Sequence, residues 1–266
     1  MLRPTMAAEN GMMRRLWPWL GLILMVASLT WLQLYPDTWM PSTPSTTVPA
    51  PETISLVILD PGHGGLDSGS MAAGILEKDL TLDVAKRVER LVHLKGLPAL
   101  LTRDADNYVS LAGRAALANR EHNCVFVSIH FDEGKKPAAT GVQTYYASHA
   151  TSRFQAVSSW LPFLQRTPEL PDPESQSLAG FIQEELVSQT QALNRGTKAE
   201  QFFVIANVNH PAVLVEGGFL TNKDEVSKLG SPDYREQIAT AITDGITRYR
   251  DVVRQRPALA STAPGE

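Results

Sequence analysis

From residue 53 onward, short apolar runs alternate with longer stretches of helical spacing. ISLVIL (54–59) has six residues and is rich in β-branched side chains, which predicts a buried strand. After a glycine-rich loop, Leu80, Val84, Ala85, Val88, Leu91 and Val92 recur at helical spacing and Gly96 ends the pattern. A helix is therefore expected over 77–95. The same reading predicts strands at 97–102, 124–130, 141–147, 202–205 and 212–216. Helices are expected at 110–121, at 176–193 and from Ser231 on, with Pro232 at the first helical position. Residues 222–229 read as a capped helical turn with Glu225 in the capping-box position. Strands alternating with helices make the domain α/β, layered around a mostly parallel sheet.

The front of the chain follows a different pattern. Residues 16–35, LWPWLGLILMVASLTWLQLY, carry no charge over 20 positions. As a helix at 1.5 Å per residue this run spans roughly 30 Å, the thickness of a bilayer's hydrocarbon core. Arg3, Arg14 and Arg15 precede it against one acid, Glu9, which leaves the N-terminus in the cytoplasm and the remainder outside. Trp17, Trp19 and Trp31 lie near the ends of the run, where interfacial aromatics belong. Residues 1–35 thus read as an N-terminal signal-anchor or transmembrane segment, and a cleaved signal peptide is the competing reading. Either one sends the domain across the inner membrane, into the periplasm or beyond. Residues 36–52 form a Pro/Ser/Thr-rich linker, reaching ~50 Å in extended geometry. The folded domain is placed at 53–254 and a disordered tail at 255–266.

Composition narrows the chemistry. Of 266 residues, 43% are hydrophobic and 20% charged, which excludes a wholly disordered chain. Lys and Arg number 24 against 28 acids, a net charge of −4, so no basic footprint for nucleic acid is present. The one cysteine, Cys124, excludes an internal disulfide and any multi-thiolate metal site, and reads as a core residue. A metal must then be held by His, Asp or Glu.

Three polar residues stand at the ends of expected strands. His63 follows VILDPG, His130 closes CVFVSI and Glu216 closes AVLV. In a parallel sheet the carboxyl ends of strands share one edge, and ligands bind there. Glu77 opens the helix after the first strand and belongs to the same edge. Two histidines and one glutamate suit zinc with water in the fourth position, and the other carboxylate can take that water's proton. A carboxylate after four apolar residues needs a partner. His93 and His122 read as solvated, and His149 and His210 as loop residues.

These residues sit in longer motifs. LDPGHGG (59–65), LEKDLTLDVAKRV (76–88), LTRDADNYVSLAGRAALAN (101–119), SIHFD (128–132), RGTK (195–198) and PAVLVEGGFLTNKDE (211–225) occur in that order. Together they resemble the zinc-dependent N-acetylmuramoyl-L-alanine amidases, bacterial cell-wall enzymes with an amidase-3-type catalytic domain. The resemblance runs over roughly 54–250. It implies a single three-layer domain with a twisted, mostly parallel sheet of about six strands flanked by helices. It implies that His63, Glu77 and His130 hold Zn2+ and that Glu216 is the catalytic carboxylate. The implied reaction is cleavage of the amide between the lactyl group of N-acetylmuramic acid and the L-alanine of the stem peptide. Peptidoglycan is then the substrate partner, with the inner membrane engaged through the N-terminal helix and an activator protein as a further expected partner.

Asp132 and Arg103 are read as supports of the metal site or its cleft, with a salt-bridged scaffold role as the alternative for Arg103 and Arg114. Residues 148–174 exceed what the shortest relatives need. They are read either as a lid that blocks the site, with Glu169 or Glu174 as blocking ligands, or as a surface loop of variable length. Two rival functions stand beside the amidase: another zinc peptidase acting on stem peptides, and a non-catalytic wall-binding domain.

Overall fold

The computed structural model describes residues 53–132, 138–150 and 169–260, together with positions 24, 25 and 30. The chain divides into two compact units, 1–49 and 50–266. Apart from those three positions, the apolar run 16–35 and the linker lie outside the described residues. Among the described residues no helix is long and apolar enough to cross a membrane.

Among its described residues the second unit has nine strands: β1 (Leu56–Pro61), β2 (Met71–Ala72), β3 (Ile75–Leu76), β4 (Ala99–Leu101), β5 (Cys124–Asp132), β6 (Val142–Ala150), β7 (Glu169–Pro171), β8 (Asn194–Glu200) and β9 (Ala212–Phe219). Its helices are α1 (Glu77–Leu94), α2 (Leu111–Ala118), α3 (Pro173–Thr190), α4 (Phe203–Ala206), α5 (Lys223–Gly230) and α6 (Pro232–Ala260). The main sheet has the order β4-β1-β5-β9-β6, with β7 and β8 both paired to β6. Strands β4, β1, β5 and β9 are mutually parallel, β6 is antiparallel to β9, and β8 is parallel to β6. The expected α/β fold with a mostly parallel sheet is present.

Side-chain alternation splits the core into two layers. Val57, Leu59, Val125, Val127, Ile129, Val213 and Val215 face α1, α3 and α6. Ile58, Phe126 and Leu214 face α2 and α4 with Ala115, Val204 and Ile205. Parallel strands covered on both faces explain the unbroken apolar runs in the sequence.

The structure corrects several expectations. Residues 202–205 are not a strand. Phe203–Ala206 forms a short helix whose Val204 and Ile205 pack on the second layer. A four-residue apolar run serves either form, and tertiary packing decides. Asn194–Glu200, mostly polar, is a strand supported by its pairing to β6. The last helix extends to Ala260, six residues past the expected boundary of the domain. Asn222 does cap α5, its Oδ1 accepting from the N–H groups of Asp224 and Glu225. The Glu225 carboxylate instead accepts from Thr140 Oγ1 at 2.6 Å and from Phe219 N at 3.0 Å, tying the end of β9 to the start of β6.

Candidate metal centre

Register across the sheet brings the site together. Leu59 pairs with Val127 and Pro61 with Ile129, while His130 pairs with Glu216 and Glu216 with Gln143. The row at the strands' carboxyl edge therefore reads Gly62, His130, Glu216, Gln143. Side chains paired this way project from one face, with Cβ atoms about 5 Å apart. Glu216 does not close its strand, since β9 continues to Phe219. It joins the site because it pairs with His130 of β5, just beyond the level at which β1, the strand on the other side of β5, ends.

His63 lies just beyond β1, in a loop with its own φ at 61°. Glu77 is the first residue of α1. The β2–β3 hairpin delivers it there through a two-residue turn with Ala73 and Gly74 both at positive φ, the geometry favoured for tight hairpins. Gly62 must lack a side chain, because a Cβ there would stand 2.3 Å from the His130 ring. A Cβ on Gly69 would stand 2.5 Å from Glu77 Oε2.

His63, Glu77 and His130 each offer one ligand atom, and these atoms all lie within 4.8 Å of one another. Glu77 Oε1 stands 3.1 Å from His63 Nε2 and 3.0 Å from His130 Nδ1, and it also accepts from Phe131 N at 3.1 Å. Its other oxygen accepts from Ser70 N at 2.8 Å. Burial works against the Glu77 carboxylate, but hydrogen bonds and charge from His130 and His63 hold its pKa far below the usual range. Burial likewise disfavours protonated His63, yet Glu77 and Asp67 outweigh it and raise its pKa. Three converging donors that attract positive charge fit a divalent cation. An imidazole–imidazole–carboxylate set with no thiolate is a normal zinc environment.

The outer supports were less visible in the sequence. His63 Nδ1 lies 2.9 Å from Asp67 Oδ1, which leaves Nε2 to face the ligand cluster. The signal was present: an acid four residues after a ligand histidine in the same loop. Asp60 and Arg114 form a buried ion pair at 2.6 Å, and Thr102 and Ser128 also donate to Asp60. Arg114 further donates to the carbonyls of Pro61 and His63.

Arg103 is 3% exposed. It donates to the carbonyls of Pro61, Gly62 and Lys78, clamping the His63 loop to α1. Arg114 thus makes a buried ion pair, whereas Arg103 bonds backbone carbonyls. The Asp132 and Glu169 side chains lie outside the described residues, as do residues 151–168. Glu174, one of the two expected blocking ligands, has another partner. Its carboxylate accepts from Tyr249 Oη at 2.6 Å, and neighbouring Ser175 accepts from Ala212 N, at the start of β9. Because β6 runs against β9, residues 148–150 and their partners 169–171 also leave the sheet at that far edge. His210, at the same far edge, sits 3.0 Å from the Glu121 carbonyl, away from the cluster.

Residues 57–248 match the family model described as N-acetylmuramoyl-L-alanine amidase. N-acetylmuramoyl-L-alanine amidase AmiA of Escherichia coli is 30% identical over 222 residues, covering 73% of this chain and 75% of AmiA. Among solved structures, N-acetylmuramoyl-L-alanine amidase AmiC2 of Nostoc punctiforme superimposes with a TM-score of 0.62 at 34% identity, covering 74% of this chain and 97% of AmiC2. The CwlD amidase of Clostridioides difficile, solved in complex with the GerS lipoprotein, gives a TM-score of 0.63 at 28% identity, covering 74% of this chain and 99% of CwlD.

Proposed function

The chain belongs to the N-acetylmuramoyl-L-alanine amidase family, and from that premise we propose that it is a zinc-dependent peptidoglycan hydrolase. The bond cut is the amide between the lactyl group of N-acetylmuramic acid and the L-alanine of the stem peptide. One observation carries this reading: His63, Glu77 and His130 converge within 4.8 Å, and Glu216 is the strand neighbour of His130.

The three converging residues would hold the ion. When bound, zinc supplies Lewis-acid polarisation of a carbonyl and acidifies a water to a pKa of roughly 7. Asp67 keeps the His63 ring oriented, and Gly62 leaves the His130 ring its space. Glu216, half-buried beside His130, is the group that takes a proton at its carboxylate and returns it to the departing alanine nitrogen.

Mass spectrometry of muropeptide digests tests the assignment. The expected products are an intact sugar with a free lactyl carboxylate and a stem peptide that begins with L-alanine. Cleavage inside the stem peptide would instead identify the peptidase alternative, and zinc binding without any product would identify a wall-binding domain.

Anchoring is part of the proposal. The uncharged run 16–35, with Arg3, Arg14 and Arg15 before it, supports an inner-membrane anchor that holds the catalytic domain outside the cytoplasm. The proline-rich linker gives that domain reach toward the wall. A partner that controls activity is also proposed, by analogy with the CwlD amidase, which was solved with the GerS lipoprotein.

A further inference from the structure

The loop that carries His63 closes on itself. Gly64 N donates to the Asp67 carbonyl at 2.8 Å and Asp67 N donates to the Gly64 carbonyl at 3.2 Å, so residues 64–67 form a tight turn. His63, Gly64 and Gly65 all have positive φ, at 61°, 126° and 61°. Backbone held in sparsely populated conformations persists only where its surroundings fix it. His63 enters this turn, and Asp67, whose carboxylate orients the His63 ring, leaves it.

The tip of the turn is held by an ion pair outside the metal cluster. Lys78 follows Glu77 in the first turn of α1, and Asp106 lies in the segment between β4 and α2. Lys78 Nζ and Asp106 Oδ2 are 2.7 Å apart. Between them they take up both backbone polar groups of Gly65. The Gly65 N–H donates to Asp106 Oδ1 at 2.7 Å, and the Gly65 carbonyl accepts from Lys78 Nζ at 3.0 Å. Arg103 holds only the start of the same loop, through the carbonyls of Pro61 and Gly62. Neither Lys78 nor Asp106 belongs to the group of three converging donors. The Asp106 side chain is 54% exposed, and ion pairs open to water add little to global stability. The pair therefore acts on where the turn sits rather than on whether the domain folds.

We infer that Lys78 and Asp106 form a positioning pair for the metal centre. By tying Gly65 to the start of α1, they set the His63 ring against Glu77 at the separation a shared divalent cation requires. A rigid turn passes this constraint to both of its ends, the ligand His63 and its orienting partner Asp67. The inference rests on the reading of His63, Glu77 and His130 as a zinc site.

The test uses full-length protein stripped of metal by chelation, with Zn2+ and Co2+ as the added ions. Asp106→Ala and Lys78→Met, which keeps the length of the stem, are each expected to weaken zinc binding about ten-fold in competition with a chromophoric chelator, as the loss of an outer support does. The double variant should bind no more weakly than the single ones, because the pair works as one unit. Asp106→Asn keeps an oxygen for the Gly65 N–H and should recover part of the affinity. The visible spectrum of bound Co2+ should change in the two single variants, since it reports ligand geometry. The urea midpoint of the metal-free variants should stay within roughly 0.5 M of wild type. Wild-type zinc affinity and an unchanged cobalt spectrum in the folded variants would overturn the inference. So would affinity losses that follow the urea midpoint, or that add in the double variant. Failure of both single variants to fold would overturn it as well, because the pair would then be holding the domain. A wild-type protein that takes up neither ion would overturn the zinc reading itself, a result distinguishable from all of these.

Discussion

Glu77 makes both imidazoles of the cluster its hydrogen-bond partners through a single oxygen, while backbone N–H groups from Ser70 and Phe131 fix its plane. A ligand carboxylate held from several directions loses little freedom when it binds a cation. Asp67 does the same for His63 from the other side of the ring. Asp67→Ala is expected to weaken zinc binding about 10- to 100-fold, the usual effect of removing a histidine's orienting carboxylate. Competition with a chromophoric chelator measures it, and an unchanged affinity would contradict the orienting role. Glu216 acts differently, since it belongs to the row of strand neighbours and not to the group of three converging donors. Glu216→Gln is expected to keep its zinc and lose activity by roughly 10²- to 10⁴-fold, the range for removing a general base. Zinc analysis and turnover on one muropeptide, performed together, separate the two roles, and full turnover in the variant would contradict this assignment.

At the scale of elements, the site depends on what holds β1, β5 and β9 in register. The Asp60–Arg114 pair lies one step below the metal row, on the same face, with Ser128 of β5 donating to the same carboxylate. It couples α2 to two strands and to the His63 loop. Removing one partner of such a buried pair leaves an uncompensated charge, which is strongly destabilising. On the opposite face, α3 and α6 approach closely through Gly245. A Cβ there would lie 2.6 Å from Ile182 Cα. Gly245→Ala should therefore destabilise the domain by about 1–3 kcal/mol, the cost of overpacking a rigid contact. Urea denaturation would show it as a lower midpoint at unchanged slope. Zinc affinity should remain near wild type in the folded variant, because the substitution lies across the sheet from the ligands.

At the scale of the whole molecule, an extracytoplasmic catalytic domain is expected to remain tied to the membrane by residues 16–35. Full-length protein should stay with the membrane fraction through high-salt and alkaline washes, and protein lacking residues 1–35 should be soluble and equally active on soluble muropeptides. Release of a shortened, soluble form from intact cells would replace the anchor with a cleaved signal. Within the domain, the strand and helix pattern was legible because β1, β5 and β9 are buried on both faces and α1 carries its apolar residues on one stripe. His130 and Glu216 stood out in the sequence for a related reason, since each follows an apolar run, while Glu77 was singled out at the start of a helix and His63 in a glycine-rich loop. The polar β8 was not legible, because its strand form comes from pairing with β6 and not from its own side chains. Phe203–Ala206 was misread because four apolar residues carry no period. The partners of Glu174 and Glu225, Tyr249 in one case and Thr140 with Phe219 in the other, were not legible because they are distant in sequence or set by the fold. The sequence by itself determined the fold class and the donor types, since burial patterns and ligand chemistry are properties of residues. Only tertiary structure decided which face, which edge and which partner each polar group received, because register and long-range hydrogen bonds join residues that local sequence cannot relate.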